Sequence, residues 1–443
     1  MVDPKEYQRR LQNIIQQAKG GNTDAQYALA VITSRQNIEN SLGWMQKAID
    51  GGHAGAVYTL GAWHIQGTLI DQDFDKGRAL LGKASAMNFD DADMMLAALN
   101  ANGVGVTRDW QAGLAIVIKK AREGSARALC QLAFLCFMKS DAGEVGETLL
   151  QAAAERFDML ALFAYAKRVL DKKDTGPEAE KAKMFMAVAA QRGKHPGALI
   201  FPGVEGFSVP EVLPEPTFEP ADLDWALIES YFPTPPLPEN LSSNMLRESP
   251  HIEVFPGFFT FEETDYLIGM SVRHLNPSQV VDPITGKFIQ DEYRSSSDMR
   301  FWPTLQDLVV YSILERISVA SGEPIKNQEM LGILKYEPGQ EYKPHGDFLT
   351  PDFSGKNPEV ERSGQRKKTF LVNLNEEFTG GETEFVNIGL KTRGKKGDGL
   401  MFINVTEANE PNTLTIHAGR PIIEGIKWLS TMWIREKEYK SHD

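Results

Sequence analysis

The 443-residue sequence predicts a multidomain α+β protein with a helical N-terminal part and a strand-rich C-terminal part. Three differences in composition along the chain support this prediction. Residues 1–200 are rich in alanine with helical periodicity, residues 201–248 are rich in proline, and short strand-like segments with glycine-containing turns dominate the remainder. We therefore expect an α-solenoid at 1–200, a linker at 201–248, and a sandwich or jelly roll at 249–443.

A repeat of about 36 residues runs through the alanine-rich part. Its anchors are alanines in a small-x-x-x-large-small pattern, spaced 36, 36 and 33 residues apart: Ala56, Ala92, Ala128 and Ala161, with weaker matches at Ala25 and Ala198. Each anchor follows a helix that ends at glycine, asparagine or a similar breaker, so one unit is a helix-turn-helix. One unit cannot bury its apolar face alone, and we expect about five to stack.

The repeat pattern resembles the tetratricopeptide-like repeats of the Sel1 class. This resemblance implies a concave surface that binds a peptide, protein substrate or partner. Dimerisation and spacing are the alternative roles, because a fold by itself does not determine a function.

The composition of the chain argues against some classes of partner and favours one cellular location. A net charge of −13 and a pI near 5.3 argue against general binding to nucleic acid or to an anionic membrane. The N-terminal residues lack the apolar run of a signal peptide, and no apolar stretch has the length of a membrane span. Two cysteines, Cys130 and Cys136, make a disulfide framework unexpected. We expect a cytoplasmic protein with no nucleic-acid or membrane partner.

The proline-rich segment is predicted to pack against its neighbours. Its prolines interrupt helices and favour extended backbone. Asp222 to Tyr231 has the composition of one short helix. Because Trp225, Tyr231 and Phe232 are too apolar for a free tether, we expect this linker to lie on one or both domains.

Two helices are predicted to brace the strands of the C-terminal part. Thr260-x-x-Glu263 is a capping box that opens a helix to about His274. An apolar stripe then runs along residues 305–317 and stops at Gly322. Strands are predicted at 330–336, 367–375, 383–390, 399–405, 413–418 and 426–435.

The pattern His345-x-Asp347 points to a metal site. In an extended strand, side chains two residues apart share a face, which brings an imidazole and a carboxylate together. These are two of the three ligands of a facial iron(II) site, and the best third candidate is His417 in TLTIHAG. Lys427 lies ten residues further on, where it could hold the distal carboxylate of an organic acid.

Residues 249–436 resemble the catalytic domain of the prolyl 4-hydroxylase family, within the iron(II)- and 2-oxoglutarate-dependent dioxygenases. The ordered motifs that carry the resemblance are RSS at 294–296, NQEMLGILKYEPGQEYKPHGD, QRKKTFLVNLNEEFTGGETEF, KKGDGLMFIN and HAGRPIIEGIKW. The resemblance implies a double-stranded β-helix that binds Fe(II) as its cofactor. It also implies that 2-oxoglutarate and O2 are cosubstrates and that prolyl residues in a peptide or protein are hydroxylated.

The same resemblance implies roles for individual residues. His345, Asp347 and His417 bind the metal, while Lys427, Tyr336 and Thr369 hold the 2-oxoglutarate carboxylate. Tyr342 and Trp433 line the proline pocket, and Arg294, at the end of a flap spanning 276–302, grips a substrate carbonyl. The long polar stretch 348–366 is a candidate second lid.

Other interpretations stay open at the level of sequence. The substrate of the enzyme could be a free amino acid or small molecule, or the oxygenase domain could be inert within a scaffold protein. The intact ligand triad and Lys427 argue against inertness. Ascorbate is a candidate reductant and a homodimer a candidate assembly.

Overall fold

The structure is a computed structural model of the 443-residue chain, and it describes residues 4–172, 176–193, 215–238, 241–281, 288–289, 293–350 and 356–439. These residues form two compact units. The first contains the chain up to Glu123 together with Trp302–Leu308, and the second contains the chain from Gly124 to Phe301 and from Val309 onward.

The N-terminal part is a succession of α-helices, as predicted. In the described residues they are α1 (Pro4–Lys19), α2 (Thr23–Thr33), α3 (Ile38–Asp50), α4 (Ala54–Gln66), α5 (Phe74–Ala86), α6 (Asp90–Asn102), α7 (Trp110–Arg122), α8 (Ala126–Phe137), α9 (Gly143–Glu155), α10 (Met159–Asp171) and α11 (Pro177–Gly193).

The helices pack as consecutive pairs, and the alanine anchors explain the pairing. The pairs are α2–α3, α4–α5, α6–α7, α8–α9 and α10–α11. Ala56, Ala92, Ala128 and Ala161 each lie in the first turn of the first helix of a pair and are fully buried. A methyl side chain lets two helix backbones approach closely. The predicted five helical units are confirmed, while Ala198 lies outside the described residues.

Sixteen strands and four further helices complete the described chain. The helices are α12 (Trp225–Ser230), α13 (Phe261–Ser271), α14 (Leu308–Ser321) and α15 (Pro358–Ser363). The strands are β1 (Asn244–Arg247), β2 (Ile252–Phe255), β3 (Asn276–Pro277), β4 (Val280–Val281), β5 (Phe288–Ile289), β6 (Ser297–Arg300), β7 (Gly332–Tyr336), β8 (Tyr342–His345), β9 (Arg366–Asn373), β10 (Phe378–Gly380), β11 (Thr383–Phe385), β12 (Leu390–Thr392), β13 (Gly399–Ile403), β14 (His417–Gly419), β15 (Ile422–Gly425) and β16 (Lys427–Arg435).

Two antiparallel sheets form the double-stranded β-helix that the resemblance implies. The larger has the order β1-β2-β13-β9-β16-β7-β6-β3, and the smaller has the order β12-β11-β14-β8. Apolar residues of both sheets, including Leu371 and Leu429 of the large sheet and Phe385 of the small one, share one buried cluster. The jelly-roll prediction is confirmed.

Two predicted strands are wrong in part. The prediction at 383–390 combines β11 with the start of β12, because residues 386–389 form a turn between them. Residues Thr413–Thr415 form a 3-10 helix, and the strand begins only at His417. Thr415 and His417 are buried while Leu414 is exposed, so the alternation in TLTIH does not separate an apolar inner face from a polar outer one. The polar residues point inward because they belong to the site described below.

The linker packs against the helices, as its aromatic residues predicted. Glu155 of α9 accepts hydrogen bonds from the backbone and hydroxyl of Thr217, at 2.8 and 2.6 Å, and from Lys181 at 2.6 Å. These bonds outweigh the effect of burial and hold the pKa of Glu155 at about 2. Phe232 is fully buried beyond the short helix α12.

The last repeat helices cover part of the oxygenase portion. Phe134 of α8 lies 4.6 Å from Tyr266 of α13, measured between ring centres, and a Cβ at Gly269 would clash with Leu160 of α10. Asp265 of α13 pairs with Lys167 of α10 at 3.7 Å. Helices α8 to α11 therefore lie in the same compact unit as the sheets, whereas the predicted domain end near residue 200 falls outside the described residues.

Among the helices in the described ranges, none combines the length and the apolar character that crossing a membrane requires.

A buried ion pair joins the two bracing helices. Arg316 of α14 donates to both carboxylate oxygens of Glu263, at 2.6 and 2.5 Å, and to the carbonyl of Phe258 at 2.8 Å. Glu263 also completes the predicted capping box, accepting from the backbone of Thr260. Both charged side chains are at most 2% exposed, so each depends on the other for a partner.

We expect the Arg316→Met variant to lose about 3–5 kcal/mol of unfolding free energy, because it leaves the Glu263 carboxylate buried without its cation. Urea denaturation followed by circular dichroism measures the loss. The double variant Arg316→Met/Glu263→Met is the control and should recover part of it. A loss below about 1 kcal/mol in the single variant would contradict a structural role for the pair.

Candidate iron and 2-oxoglutarate site

Three side chains that can bind a metal converge between the two sheets. The ligand atoms of His345, Asp347 and His417 all lie within 4.8 Å of one another. Asp347 Oδ1 is 3.8 Å from Nε2 of His345, and its Oδ2 is 3.7 Å from Nε2 of His417. Two imidazoles and one carboxylate on one side of a centre are the donor set of a facial iron(II) site.

Strand pairing produces this convergence. His345 ends β8 and His417 begins β14, and the register places the two residues directly opposite each other. The sequence pattern predicted that Asp347 lies within the same strand as His345. In the structure, Asp347 lies just past the end of β8. The turn there requires Gly346, since a Cβ at this position would lie 2.5 Å from the ring of Phe348.

Backbone carbonyls fix the tautomer of both histidines. Nδ1 of His345 lies 2.8 Å from the carbonyl of Lys343, and Nδ1 of His417 lies 3.0 Å from the carbonyl of Thr415. A carbonyl oxygen can only accept, so each Nδ1 carries the proton and each Nε2 offers its lone pair to the centre. Burial and the neighbouring His417 lower the pKa of His345 to about 3, which keeps the imidazole neutral.

A second layer of hydrogen bonds orients the carboxylate. Thr369 donates to Asp347 Oδ2 at 2.7 Å and accepts from Asn404 at 2.8 Å. Burial opposes ionisation of Asp347, but the two histidines and the Thr369 hydroxyl hold its pKa below the usual range. The Thr369 hydroxyl donates its one hydrogen to Asp347 here, and its contact with the 2-oxoglutarate carboxylate stays a prediction.

The donor set fits iron(II). A carboxylate that is 4% exposed lies between two imidazoles whose Nε2 atoms are 3.8 and 3.7 Å from its oxygens. A bound cation would be a shared partner for the carboxylate and for both Nε2 atoms. The outer bonds to Lys343, Thr415 and Thr369 hold the ligands in place for one.

Lys427 provides a buried cation for an organic acid. It pairs with Tyr336 across β16 and β7, and its Nζ lies 5.9 Å from the centre of the Tyr336 ring. Nζ donates to the carbonyl of Gly381 at 2.7 Å. Burial lowers the pKa of Lys427 to about 8. A cavity of about 250 Å³, lined by apolar residues such as Leu371 and Leu429, adjoins this amine.

Tyr342 and Arg294 lie on the open side of the metal site. The ring of Tyr342 stacks on His345, with centres 3.4 Å apart and planes 15° apart. The guanidinium carbon of Arg294 lies 5.2 Å from the Tyr342 ring centre. Arg294 is buried, and its Nε has no hydrogen-bond partner in the described residues. Arg294 is therefore not an arginine whose guanidinium is surrounded by water, as a charged residue in an exposed loop would be.

Trp433 lies between two guanidinium groups. The guanidinium carbons of Arg366 and Arg300 are 3.6 and 4.5 Å from the indole centre. Trp433 pairs with Thr369 across β16 and β9, and it shares a strand face with Lys427, as predicted. Its buried Nε1 lacks a hydrogen-bond acceptor within the described chain.

Comparisons with known proteins agree with this geometry. Residues 331–435 match the family described as the 2OG-Fe(II) oxygenase superfamily. The chain is 33% identical over 217 residues to "Prolyl 4-hydroxylase 1" of Arabidopsis thaliana, covering 45% of this chain and 73% of that protein. It is 34% identical over 210 residues to "Probable prolyl 4-hydroxylase 10" of the same plant, covering 43% and 71%. The chain belongs to the prolyl 4-hydroxylase family.

Two solved structures are similar to this family member over part of its length. The viral collagen prolyl hydroxylase of Paramecium Bursaria Chlorella virus-1 is 26% identical, with a TM-score of 0.33, and covers 42% of this chain and 95% of its own. A Sel1 repeat protein from Oxalobacter formigenes is 25% identical, with a TM-score of 0.24, and covers 27% and 94%.

Sequence reasoning missed several charged residues of this prolyl 4-hydroxylase domain. Arg366 donates to both oxygens of Glu329, at 2.7 and 3.1 Å, and Arg435 donates to the same Glu329 at 3.0 Å. Arg366 is the basic residue of the polar stretch 348–366 that lies next to the site. A strict period of two along β9 places Arg366 on the face opposite Thr369, so no local pattern indicated its contact with Trp433.

We expect alanine variants of His345, Asp347 or His417 to lose stoichiometric binding of Fe(II) and Co(II), because each removes one of three protein ligands. Thr369→Val should weaken binding less, by about 10–100-fold, since it removes only an outer hydrogen bond. Metal content after equilibrium dialysis measures both effects. His251→Ala removes a histidine outside the site and is the control. Full metal binding by any ligand variant would refute the assignment.

We expect the affinity for 2-oxoglutarate to fall above pH 8, by up to about tenfold per pH unit, because the carboxylate binds the protonated form of Lys427. Titration calorimetry of the metal-loaded protein without O2 measures this. Lys427→Ala should cost on the order of 2–5 kcal/mol of binding at pH 7.

The matched control is Lys427→Arg, whose guanidinium stays charged throughout this range. Its affinity should be independent of pH between 7 and about 9.5 even if it is weaker than that of the wild type. An equally steep loss of affinity in this variant would assign the titration to another group.

Proposed function

We propose that this protein is an iron(II)- and 2-oxoglutarate-dependent dioxygenase that hydroxylates prolyl residues in a peptide or protein. One observation carries the proposal: a His345–Asp347–His417 cluster whose ligand atoms lie within 4.8 Å of one another, with two of its residues buried, in a chain that also buries Lys427 beside a cavity. The relationship to "Prolyl 4-hydroxylase 1" supports the choice of proline as the target.

Each group at the site has a defined task. His345, Asp347 and His417 would hold the metal, and Lys427, with Tyr336 beside it, would hold the distal carboxylate of 2-oxoglutarate. When bound, iron(II) and 2-oxoglutarate would supply, with O2 as the oxidant, oxidative decarboxylation to succinate and CO2 coupled to C–H hydroxylation. The chain orients these groups and limits water access, since the ligands and Lys427 are largely buried.

A peptide substrate is supported by the residues next to the metal cluster. Tyr342 stacks on His345, and Trp433 shares a strand face with Lys427, so both aromatic side chains lie beside the cluster. The resemblance to the prolyl 4-hydroxylase family assigns both of them to the proline pocket.

The helical repeats are proposed to bind the protein substrate or a partner. Helices α8 to α11 pack in the same compact unit as the sheets, so a target held there would have a raised local concentration near the site. Ascorbate as reductant, a cytoplasmic location and a homodimer are further proposals that rest on the sequence alone.

We expect the full-length, Fe(II)-loaded enzyme to convert proline to 4-hydroxyproline in members of a proline-peptide library, with one succinate released per hydroxyl group. Mass spectrometry detects the added oxygen atom, and amino-acid analysis gives its position. Peptides with alanine in place of the proline, and the Asp347→Ala enzyme, are the controls.

Other outcomes would redirect the proposal. Hydroxylation of free proline or another small molecule in preference to every peptide would favour the small-molecule alternative. Normal binding of metal and 2-oxoglutarate without turnover on any substrate, including intact proteins, would favour a scaffold with an inert oxygenase domain.

A further inference from the structure

The Arg300 side chain lies in a space left by a glycine on the neighbouring strand. It ends β6 and pairs with Gly332 of β7. A Cβ at Gly332 would lie 2.8 Å from Cζ of Arg300, so only glycine leaves room for this side chain against the sheet. The guanidinium then lies over the indole of Trp433 at 4.5 Å.

Arg300 has fewer polar partners than the arginines around it. In the described part of the chain, it donates one long hydrogen bond, 3.4 Å to the carbonyl of Met330. By contrast, Arg366 makes a bidentate pair with Glu329, and Arg435 bonds both Glu329 and the carbonyl of Glu359 at 2.6 Å. A guanidinium has five N–H donors, so Arg300 keeps most of its capacity for an incoming acceptor.

The carboxylate of Asp298 is shared by the guanidinium groups of Arg294 and Arg300, which lie beside Tyr342 and Trp433. Asp298 lies 3.7 Å from Nε of Arg300 and 3.5 Å from Nη2 of Arg294, which is longer than a good charged hydrogen bond in both cases. The Nε of Arg294 also has no acceptor. Neither Arg294 nor Arg300 therefore has a carboxylate at good hydrogen-bond distance, and a substrate carboxylate would supply one.

This position borders the reaction centre and can be reached from solvent. The Arg300 guanidinium contacts Trp433, whose strand partner Thr369 bonds the metal ligand Asp347. The Arg300 side chain is 19% exposed, unlike Arg294 at 7% and Arg435 at 1%. A side chain that flanks a residue held against Trp433 would come within reach of Arg300.

We propose that Arg300 is a specificity-determining residue that selects substrates with an Asp or Glu close in sequence to the target proline. The planar guanidinium would bind the side-chain carboxylate as a bidentate pair, alongside Asp298. This inference rests on the proposed prolyl hydroxylation. It adds to that function the chemical class of the residue beside the proline.

The test uses pairs of peptides that each contain one proline. The two members of a pair carry Glu or the isosteric Gln at the same position. The pairs together cover the positions from three residues before the proline to three residues after it. For the wild-type enzyme we expect kcat/KM at one or two positions to be higher for Glu than for Gln by on the order of 10-fold or more. In Arg300→Met the ratio should fall to about 1, with the Gln peptide nearly unaffected. Calorimetric binding of the same peptides without O2 should give the same ratios.

Two further variants make the test independent of folding defects. Asp298→Asn removes the competing carboxylate and should raise the preference for Glu. Arg247→Met removes an exposed arginine of β1 outside the site, changes net charge equally, and should leave the Glu-to-Gln ratio unchanged.

The outcomes separate this inference from the proposed function. Hydroxylation of proline peptides without a Glu preference at any position, or with one that survives Arg300→Met, would overturn the role of Arg300 alone. Failure to hydroxylate or bind any proline peptide would overturn the proposed function and this inference together.

Discussion

The pairing of β8 with β14 is the constraint on which the site depends. It places His345 opposite His417, and the carbonyl two residues before each histidine fixes its tautomer, from Lys343 within β8 and from Thr415 in the 3-10 helix that precedes β14. A shift of one residue in either strand would turn one imidazole to the other face of the sheet. One register therefore sets the position, the orientation and the protonation of two ligands, and Gly346 lets the chain add Asp347 immediately afterwards.

Buried charges in this protein fall into two groups that differ in how completely they are paired. Arg316 and Glu263 satisfy each other within the bracing helices, so their role is structural. At the site, Asp347 lies between two imidazoles, Lys427 has a neutral carbonyl partner, and Arg300 shares a distant carboxylate. Incomplete pairing is costly in the free protein, and a metal, an organic acid or a substrate carboxylate would offset that cost on binding.

The boundary between the alanine-rich and the strand-rich sequence does not separate two independently packed units. The alanine repeats continue to α11, but α8 and α10 cover the face of α13 that carries Tyr266 and Gly269, and they belong to the same compact unit as the sheets. A segment starting near Leu241 would expose that face to water. The oxygenase sheets and the last repeat helices are thus expected to fold together, which fixes part of the repeat surface relative to the active site.

The sequence by itself determined the helical repeats and the jelly roll, because periodicity and turn residues are local properties of the chain. Its ordered motifs also picked out His345, Asp347 and His417 as candidate metal ligands, and Lys427 as a candidate anchor for 2-oxoglutarate. It also placed Trp433 on the face of Lys427, since that follows from a period of two along one strand. The partner of Thr369, the burial of Arg294, and the contact of Arg300 with Trp433 through the space left by Gly332 required the tertiary structure. These contacts join segments that are distant in sequence. Their distances and unmet hydrogen bonds, which support the role proposed for Arg300, depend on sheet register and packing rather than on any local pattern.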